Sequence, residues 1–596
     1  MSFLLEINIG PVQDFISASR RTRDLWFASS LLSELSKAAA LSLHNDGGKL
    51  IFPAPENPAN DLAPINNPNS TINAANVILA EFLDGIPATI ADNARKAVNE
   101  RFMHYANEVK RRLATWIDST RWDKQVRGII EFYWACVNLE GDYAQARKRL
   151  SRLIAGRKNI RDFMPSDFGG RVPKSSLDGM RESVLIHPMP PEKRRTLHRA
   201  VRLKDGEYLD ASGLIRRAGR MSDNPGDEFF PSISRVAVDS WIRGKGSDFM
   251  RRNMAGLARY CDELADLGVL NRVRDDVYSD FPYEGSVLYP SRHKAMIAEC
   301  RNDSESAGKA MTLCRDIAGV LNAGNMPGEP YVAVICADGD RMGATLSAMK
   351  TADNHRKFSR ELSRFAVMAR GIVRKNHGVC IYTGGDDVLA FLPLDTVLEC
   401  SRELHDSFGG LMGKFGNPAP TLSVGVSIAH ALEDIELLLQ YGRDAERVAK
   451  GDDRNGLAVS VRARGNQSIT VREQWRDSSV WDHAGFMPLD ERLAYWAGLF
   501  MAGAIPNKFP YELRTNAGFY DGWTNAESLR DATRNDVMRI FGRKDVNMDD
   551  ETLSHVRDYI SVKTNDAGSI RALSDEMTIS QWIAYGMEMH LDVDNV

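Results

Sequence analysis

Residues 381–393 read Ile-Tyr-Thr-Gly-Gly-Asp-Asp-Val-Leu-Ala-Phe-Leu-Pro, and this segment constrains the chain more than any other. An apolar, β-branched run enters Gly384-Gly385-Asp386-Asp387 and a second apolar run leaves it. That is the pattern of a β-hairpin with two adjacent carboxylates at an exposed tip. The glycines let the backbone turn sharply and leave space for a bulky group to approach. Two neighbouring acidic side chains repel one another unless a positive charge stands between them.

A second acidic pair sharpens the reading. Residues 331–343 read Tyr-Val-Ala-Val-Ile-Cys-Ala-Asp-Gly-Asp-Arg-Met-Gly. A buried strand over 332–336 delivers Asp338 and Asp340 to its end, with Gly339 between them. If this strand end and the hairpin tip share one sheet, four carboxylates can hold two divalent ions, Mg²⁺ or Mn²⁺, with a nucleoside triphosphate. Hard cations of this kind take a few carboxylate oxygens plus phosphate oxygens. Paired ions a few ångströms apart serve in-line phosphoryl or nucleotidyl transfer. The alternative is two unrelated acidic turns, since Asp and Gly are common turn residues.

Composition narrows the class. A chain of 596 residues, 43% hydrophobic and 26% charged, has room for three or four domains with sizeable cores. Seven scattered cysteines, an odd number, fit a reducing cytoplasm rather than a disulfide framework. No apolar stretch is long enough to span a membrane, and the opening MSFLLEINIG reads as a strand rather than a signal peptide. A net charge of −4 gives no global attraction to nucleic acid. Basic runs are local, at Arg20-Arg21-Thr22-Arg23 and over 193–204, where Lys193, Arg194, Arg195, Arg199, Arg202 and Lys204 cluster. In an isolated chain each run reads first as a solvated helix face; inside a ribonucleoprotein, phosphate contacts are the better reading.

The order of elements suggests an α+β chain with a weak internal repeat. A strand over 4–9 precedes helix signals over 12–43, a polar loop over 53–73, a helical stretch over 91–116, a strand over 132–139 and a helix over 144–154. Residues 326–465 show a comparable order: strand, helix over 354–376, hairpin, helix over 395–409, strand over 421–430, helix over 432–450. Leu422, Val424, Val426 and Ile428 alternate with Thr421, Ser423, Gly425 and Ser427, the period of a half-buried strand. Residues past 466 read as helical, with Trp475, Trp481, Trp496, Tyr511 and Trp523 as core anchors or as base-stacking platforms.

The segments ADGDRMG and YTGGDDVLAF resemble the catalytic palm of the large, polymerase- and cyclase-like subunit of type III CRISPR effector complexes. EINIGPVQDFISASRRTRDLWFASSLLSEL is similar to the opening of its Cmr (III-B) branch. EFYWACVNLEGDYAQARKRL, RKNIRDF, FPSISRVAVDSW and AERVAKGDDRNGLAV look like further landmarks. The resemblance runs to about residue 465. It implies two ferredoxin-like palms, at 1–170 (degenerate) and 326–465 (catalytic), an intervening helical and irregular region at 171–325, and a helical domain at 466–596. The nucleotide site would lie between the palms. Asp338, Asp386 and Asp387 would be catalytic, and these three with Asp340 would bind metal. Gly339, Gly384, Gly385, Lys450, Arg454 and Asn455 would line the nucleotide. Lys450 is equally read as a cation favoured by a helix C-terminus. In the first palm Gly10, Gln13, Arg20, Arg21 and Asp24 match landmarks, and Arg21 with Asp24 has the spacing of an i,i+3 ion pair.

Further expectations follow from the resemblance. Partners would be the other effector subunits, guide RNA and target RNA, with ATP as substrate and no membrane. Some relatives join AMP to S-adenosylmethionine instead of a second ATP. Many relatives carry a Cys-x-x-Cys zinc half-site where this chain has Ser175-Ser176-Leu177-Asp178, so no structural zinc is expected. The palm strand starting at Phe3 leaves no room for the N-terminal nuclease domain some relatives have, and His405-Asp406 reads as incidental. A GGDEF diguanylate cyclase would replace Asp387-Val388 by Glu-Phe. A template-directed polymerase would need a basic cleft, and a non-catalytic scaffold would tolerate loss of the acidic pairs.

Overall fold

The computed structural model describes residues 2–590 except 66–73, 161–171, 204–205, 222–229, 301–303, 323–326, 464–467, 476–486, 524–525 and 545–547. The first apolar run forms β1 (Phe3–Gly10), almost wholly buried because it lies inside a sheet. β3 (Val77–Phe82) and β4 (Glu131–Asn138) flank it antiparallel, and β2 (Lys49–Phe52) pairs with β3, giving the order β2-β3-β1-β4. Neither β2 nor β3 stood out in the sequence, since each is short and bordered by polar loops. The Thr22–Asn45 helix packs across this sheet with most of its residues buried.

The second sheet has six strands among the described residues, in the order β10-β9-β8-β5-β7-β6. They are β5 (Tyr331–Gly339), β6 (Val379–Thr383), β7 (Val388–Leu392), β8 (Leu422–His430), β9 (Gly456–Arg462) and β10 (Ser468–Gln474). β8 and β9 run parallel and every other pair is antiparallel. The sheet thus continues past residue 465, where only helix was expected. β10 is a half-buried edge strand whose polar Thr470, Arg472 and Gln474 hide the apolar signal of a strand.

Strand β8 also differs from expectation. All nine of its residues are buried, because it is a central strand and the face carrying Ser423, Gly425 and Ser427 lies beneath the Ile435–Lys450 helix. A Cβ added at Gly425 would stand 2.1 Å from the Glu446 amide nitrogen. The alternation in sequence is therefore large against small, and the small face is what lets the helix sit down on the sheet.

The two sheets share one apolar core. Leu5, Ile7, Phe27 and Leu35 from the first unit pack in the same cluster as Val334, Ile381, Phe391, Leu438 and Leu439 from the second. The opposite face of the second sheet, with Ile335, Val426 and Ile428, buries against Phe358, Phe365, Leu404 and the C-terminal helices through Leu493 and Trp496. Trp475 and Trp496 are core residues, whereas Tyr511 and Trp523 are exposed; Trp481 lies outside the described residues.

The basic landmarks of the first unit are more engaged than expected. Asp24 pairs with buried Arg217 at 2.6 Å and not with Arg21. Arg21 donates instead to the Arg202 carbonyl, and burial beside Arg217 pushes its pKa down to about 10. In the second basic run Lys193 and Arg195 are exposed, Arg194 lies over the Tyr208 ring, and Lys204 is outside the described residues. Among the described residues no helix is long and apolar enough to cross a membrane.

Candidate active site

The site is assembled by strand register. β5 pairs antiparallel with β7 so that Ala337 faces Val388, which sets the next residue, Asp338, beside the hairpin tip. The hairpin closes through the Gly384 amide donating to the Asp387 carbonyl at 3.1 Å, with Gly385 in the left-handed region at φ +91°. Asp338, Asp386 and Asp387 then offer carboxylate oxygens that all lie within 4.8 Å of one another. The glycine between the two expected acids of β5 has a direct steric reason. A Cβ at Gly339 would stand 2.8 Å from the Asp386 Cβ and 2.9 Å from its Oδ2. At Gly384, similarly, the space a Cβ would need is filled by the Tyr382 hydroxyl.

The tip is not the exposed turn that its sequence suggested. All three carboxylates are half-buried. Burial raises the Asp386 and Asp387 carboxyls well above the usual carboxylate range, and Asp387 is raised further by Asp386 and Glu446. When ionised, such a cluster carries negative charge that this fold compensates only in part. Hard oxygen donors converging at this spacing fit a divalent ion such as Mg²⁺ or Mn²⁺.

One cation reaches the cluster. Lys450, at the end of the Ile435–Lys450 helix, places Nζ on Asp338 Oδ2 in a close ion pair and 3.2 Å from Glu446 Oε1. Burial and the nearby Arg454 lower the Lys450 pKa. Glu446 was not singled out in the sequence, although its i,i+4 spacing to Lys450 was visible there.

Asp340, expected as a metal ligand, stands apart. It is buried, and its oxygens accept from Thr421 Oγ1 at 2.8 Å, from Ser423 Oγ at 2.8 and 3.0 Å, and from the Asn455 amide at 2.9 Å. Its work in this fold is to tie the end of β5 to β8 and to the turn before β9. Asn455 is accordingly a framework residue through its amide, and its side chain bonds His405 Nε2 at 3.0 Å. Arg454 and Asn455 both hold positive φ, at 64° and 51°, so this turn is set by its surroundings. His405 stacks on Trp475 with ring centroids 4.7 Å apart, a structural placement for the His405-Asp406 pair.

Comparison with known proteins agrees with this geometry. Residues 331–458 match the second palm domain of Cas10/Cmr2, and residues 4–110 match the N-terminal family of the CRISPR-associated protein Cmr2. The Cmr2 subunit of the CRISPR Cmr system from Pyrococcus furiosus is 22% identical over 538 residues, covering 74% of this chain and 59% of that protein. The chain thus spans about three fifths of the length of this curated relative. The Cmr2 subunit from Saccharolobus solfataricus is 39% identical over 64 residues, 11% of this chain and 6% of that protein. Among solved structures, the type III-B Cmr-beta complex bound to cognate target RNA contains a chain with a TM-score of 0.63 at 14% identity, covering 98% of this chain and 83% of that one. The apo state of the same complex gives 0.59, also at 14% identity, over 95% and 82%. With two palm-type sheets in order, a carboxylate cluster at the β5 end and hairpin tip, and both family matches in their places, the chain is similar in these two regions to the Cmr2 large subunits of CRISPR Cmr systems.

Proposed function

We propose that this chain is a metal-dependent nucleotidyltransferase that converts ATP to 3′–5′ linked, cyclic oligoadenylate and pyrophosphate. It would act as the RNA-activated subunit of a type III effector ribonucleoprotein, assembled with other effector subunits, guide RNA and target RNA. The observation that carries the reading is the convergence of Asp338, Asp386 and Asp387 within 4.8 Å. Asp338, Asp386 and Asp387 would hold Mg²⁺ or Mn²⁺. When bound, the metal lowers the pKa of an attacking hydroxyl and neutralises charge on the leaving pyrophosphate.

The chain's own residues supply position and charge. Gly339 permits the close packing of β5 on Asp386, so the carboxylates are preset rather than gathered on binding. Lys450 brings a compact positive charge to the triphosphate from the helix end. Arg454 adds a second cation in the following turn. Asp340 fixes the strand end that carries Asp338. The intact carboxylate cluster disfavours a non-catalytic scaffold, and Asp387-Val388 stands where a diguanylate cyclase of the GGDEF type carries Glu-Phe.

The test is the Asp386→Ala, Asp387→Ala double variant, assembled with its partner subunits and RNA. Product formation from ATP should fall by at least about 10²–10³, the usual effect of losing a preorganised electrostatic contact. Assembly and target RNA binding should be unchanged. Mass spectrometry of the wild-type product identifies ring size, or an S-adenosylmethionine adduct if that is the acceptor. Oligoadenylate formation by the double variant at the wild-type rate would return the chain to a scaffold.

A further inference from the structure

The contact between Lys450 and Asp338 puts an ammonium where the proposed function needs a metal. Its geometry is fixed by the backbone rather than by a mobile side chain alone. Gly425 of β8 brings the sheet against the helix turn at Glu446, and a Cβ at Gly442 would meet Cys336 Sγ at 2.7 Å. Two glycine contacts therefore seat the Ile435–Lys450 helix on β5 and β8, and its last turn delivers Glu446 and Lys450 to the edge of the triad. Lys450, Asp338 and Glu446 are each about one quarter exposed, at 23%, 24% and 23% of their side chains. The ammonium is thus shared between two half-buried carboxylates, only one of which belongs to the triad.

We propose that Glu446 is a positioning residue for Lys450, and that the pair couples metal entry to triphosphate binding. This rests on the metal-binding reading of the triad. Without nucleotide, Lys450 occupies Asp338 and competes with a divalent ion for it. Glu446 keeps hold of the ammonium when Asp338 gives it up, so the charge swings a short distance within reach of an incoming triphosphate instead of escaping to solvent. A divalent ion alone meets a competitor; a divalent ion that arrives with a triphosphate brings Lys450 a new partner. No bond is made or broken in this step. An ammonium exchanges one anionic partner for another.

The experiment uses the full chain and Mn²⁺, followed by electron paramagnetic resonance as free against bound ion, with and without a non-hydrolysable ATP analogue. Lys450→Met should tighten Mn²⁺ binding in the absence of nucleotide by about tenfold, since one competing charge is removed from half-buried carboxylates. The same variant should weaken binding of the analogue. Glu446→Gln should weaken nucleotide-free Mn²⁺ binding several-fold and, in the complex assembled with its partner subunits and target RNA, raise KM for ATP with kcat little changed; Glu446→Asp should restore most of both.

The deciding measurement is the double variant. If Glu446 acts through Lys450, Glu446→Gln has no further effect on Mn²⁺ binding once Lys450 is Met. An equal loss on both backgrounds would make Glu446 a direct contributor to the metal field and overturn the positioning role. Mn²⁺ binding unaltered by Lys450→Met would overturn the competition. The reading beneath it fails separately: if Asp338→Asn and Asp386→Asn leave Mn²⁺ binding intact, the triad is not the metal site. Circular dichroism of each variant shows whether the fold is retained, and Lys450→Gln removes the charge with a polar side chain should Lys450→Met fail to fold.

Discussion

Gly339 shows how much of the site depends on one absent methyl group. Replacing it with Ala would drive a Cβ into Asp386, whose own Cβ would be 2.8 Å away. Strain of this kind usually costs about 1–3 kcal/mol of stability. The larger effect should be on rate: displacing a preset group by about 1 Å can cost 10²-fold. We expect Gly339→Ala to remain folded in a thermal melt and to lose the proposed oligoadenylate synthesis by about that factor. Near-normal activity would show that Asp386 does not need its present position. The three carboxylates of the triad were legible in sequence because each lies where an apolar strand runs out. Asp340 was not separable from them. Its inward turn is dictated by Thr421 and Ser423, which lie 81 and 83 residues away in the chain. Glu446 was missed because a lone acid on an amphipathic helix is ordinary until the sheet beneath it is known.

At the scale of elements, the helices and the strands β1 and β4 to β8 were legible, whereas β2, β3, β9 and β10 were not. β5, β6 and β7 announce themselves as apolar runs around glycine turns, whereas β2 and β10 have too few apolar residues to rise above the loops beside them. The alternation of β8 carried the correct element and the wrong exposure, because Gly and Ser mark a face that a helix covers as readily as one that water covers. A further element contact makes a pH prediction. The Tyr143–Asn159 helix of the first unit meets the Ala352–Lys375 helix of the second where Tyr143 Oη bonds His355 Nδ1 at 2.8 Å. Burial, then the nearby Arg147 and Arg356, depress the His355 pKa to about 3 from 6.5. A histidine depressed in the folded state must charge more readily when unfolded. Its neutral form therefore costs nothing above about pH 6.5, and stability declines as pH falls below that value towards 3. The loss should reach roughly 2 kcal/mol at pH 5. Chemical denaturation between pH 7 and 5 should show this decline, and His355→Gln should flatten that part of the profile. An identical decline in the variant would assign the acid sensitivity elsewhere.

For the whole molecule, net charge and motif order say little about how the two palm-type units sit together, and nothing in a single sequence announces their common core. Leu35 from the opening helix and Leu438 from the helix that carries Lys450 belong to one buried cluster. Units that bury their apolar faces in each other have no stable separated state to populate, so they should melt as one cooperative block. A calorimetric scan of the chain should then show the two palms under a single transition, with no intermediate in which the second sheet survives the first. Leu35→Ala, expected to cost about 2–5 kcal/mol, should shift that whole transition, and fluorescence and calorimetric midpoints should move together. Two resolved transitions, only one of them sensitive to Leu35, would refute the block. The unit that lacks the acidic triad thereby sets the temperature at which the triad is lost, and heat inactivation of the chemistry should be governed by residues that never touch it.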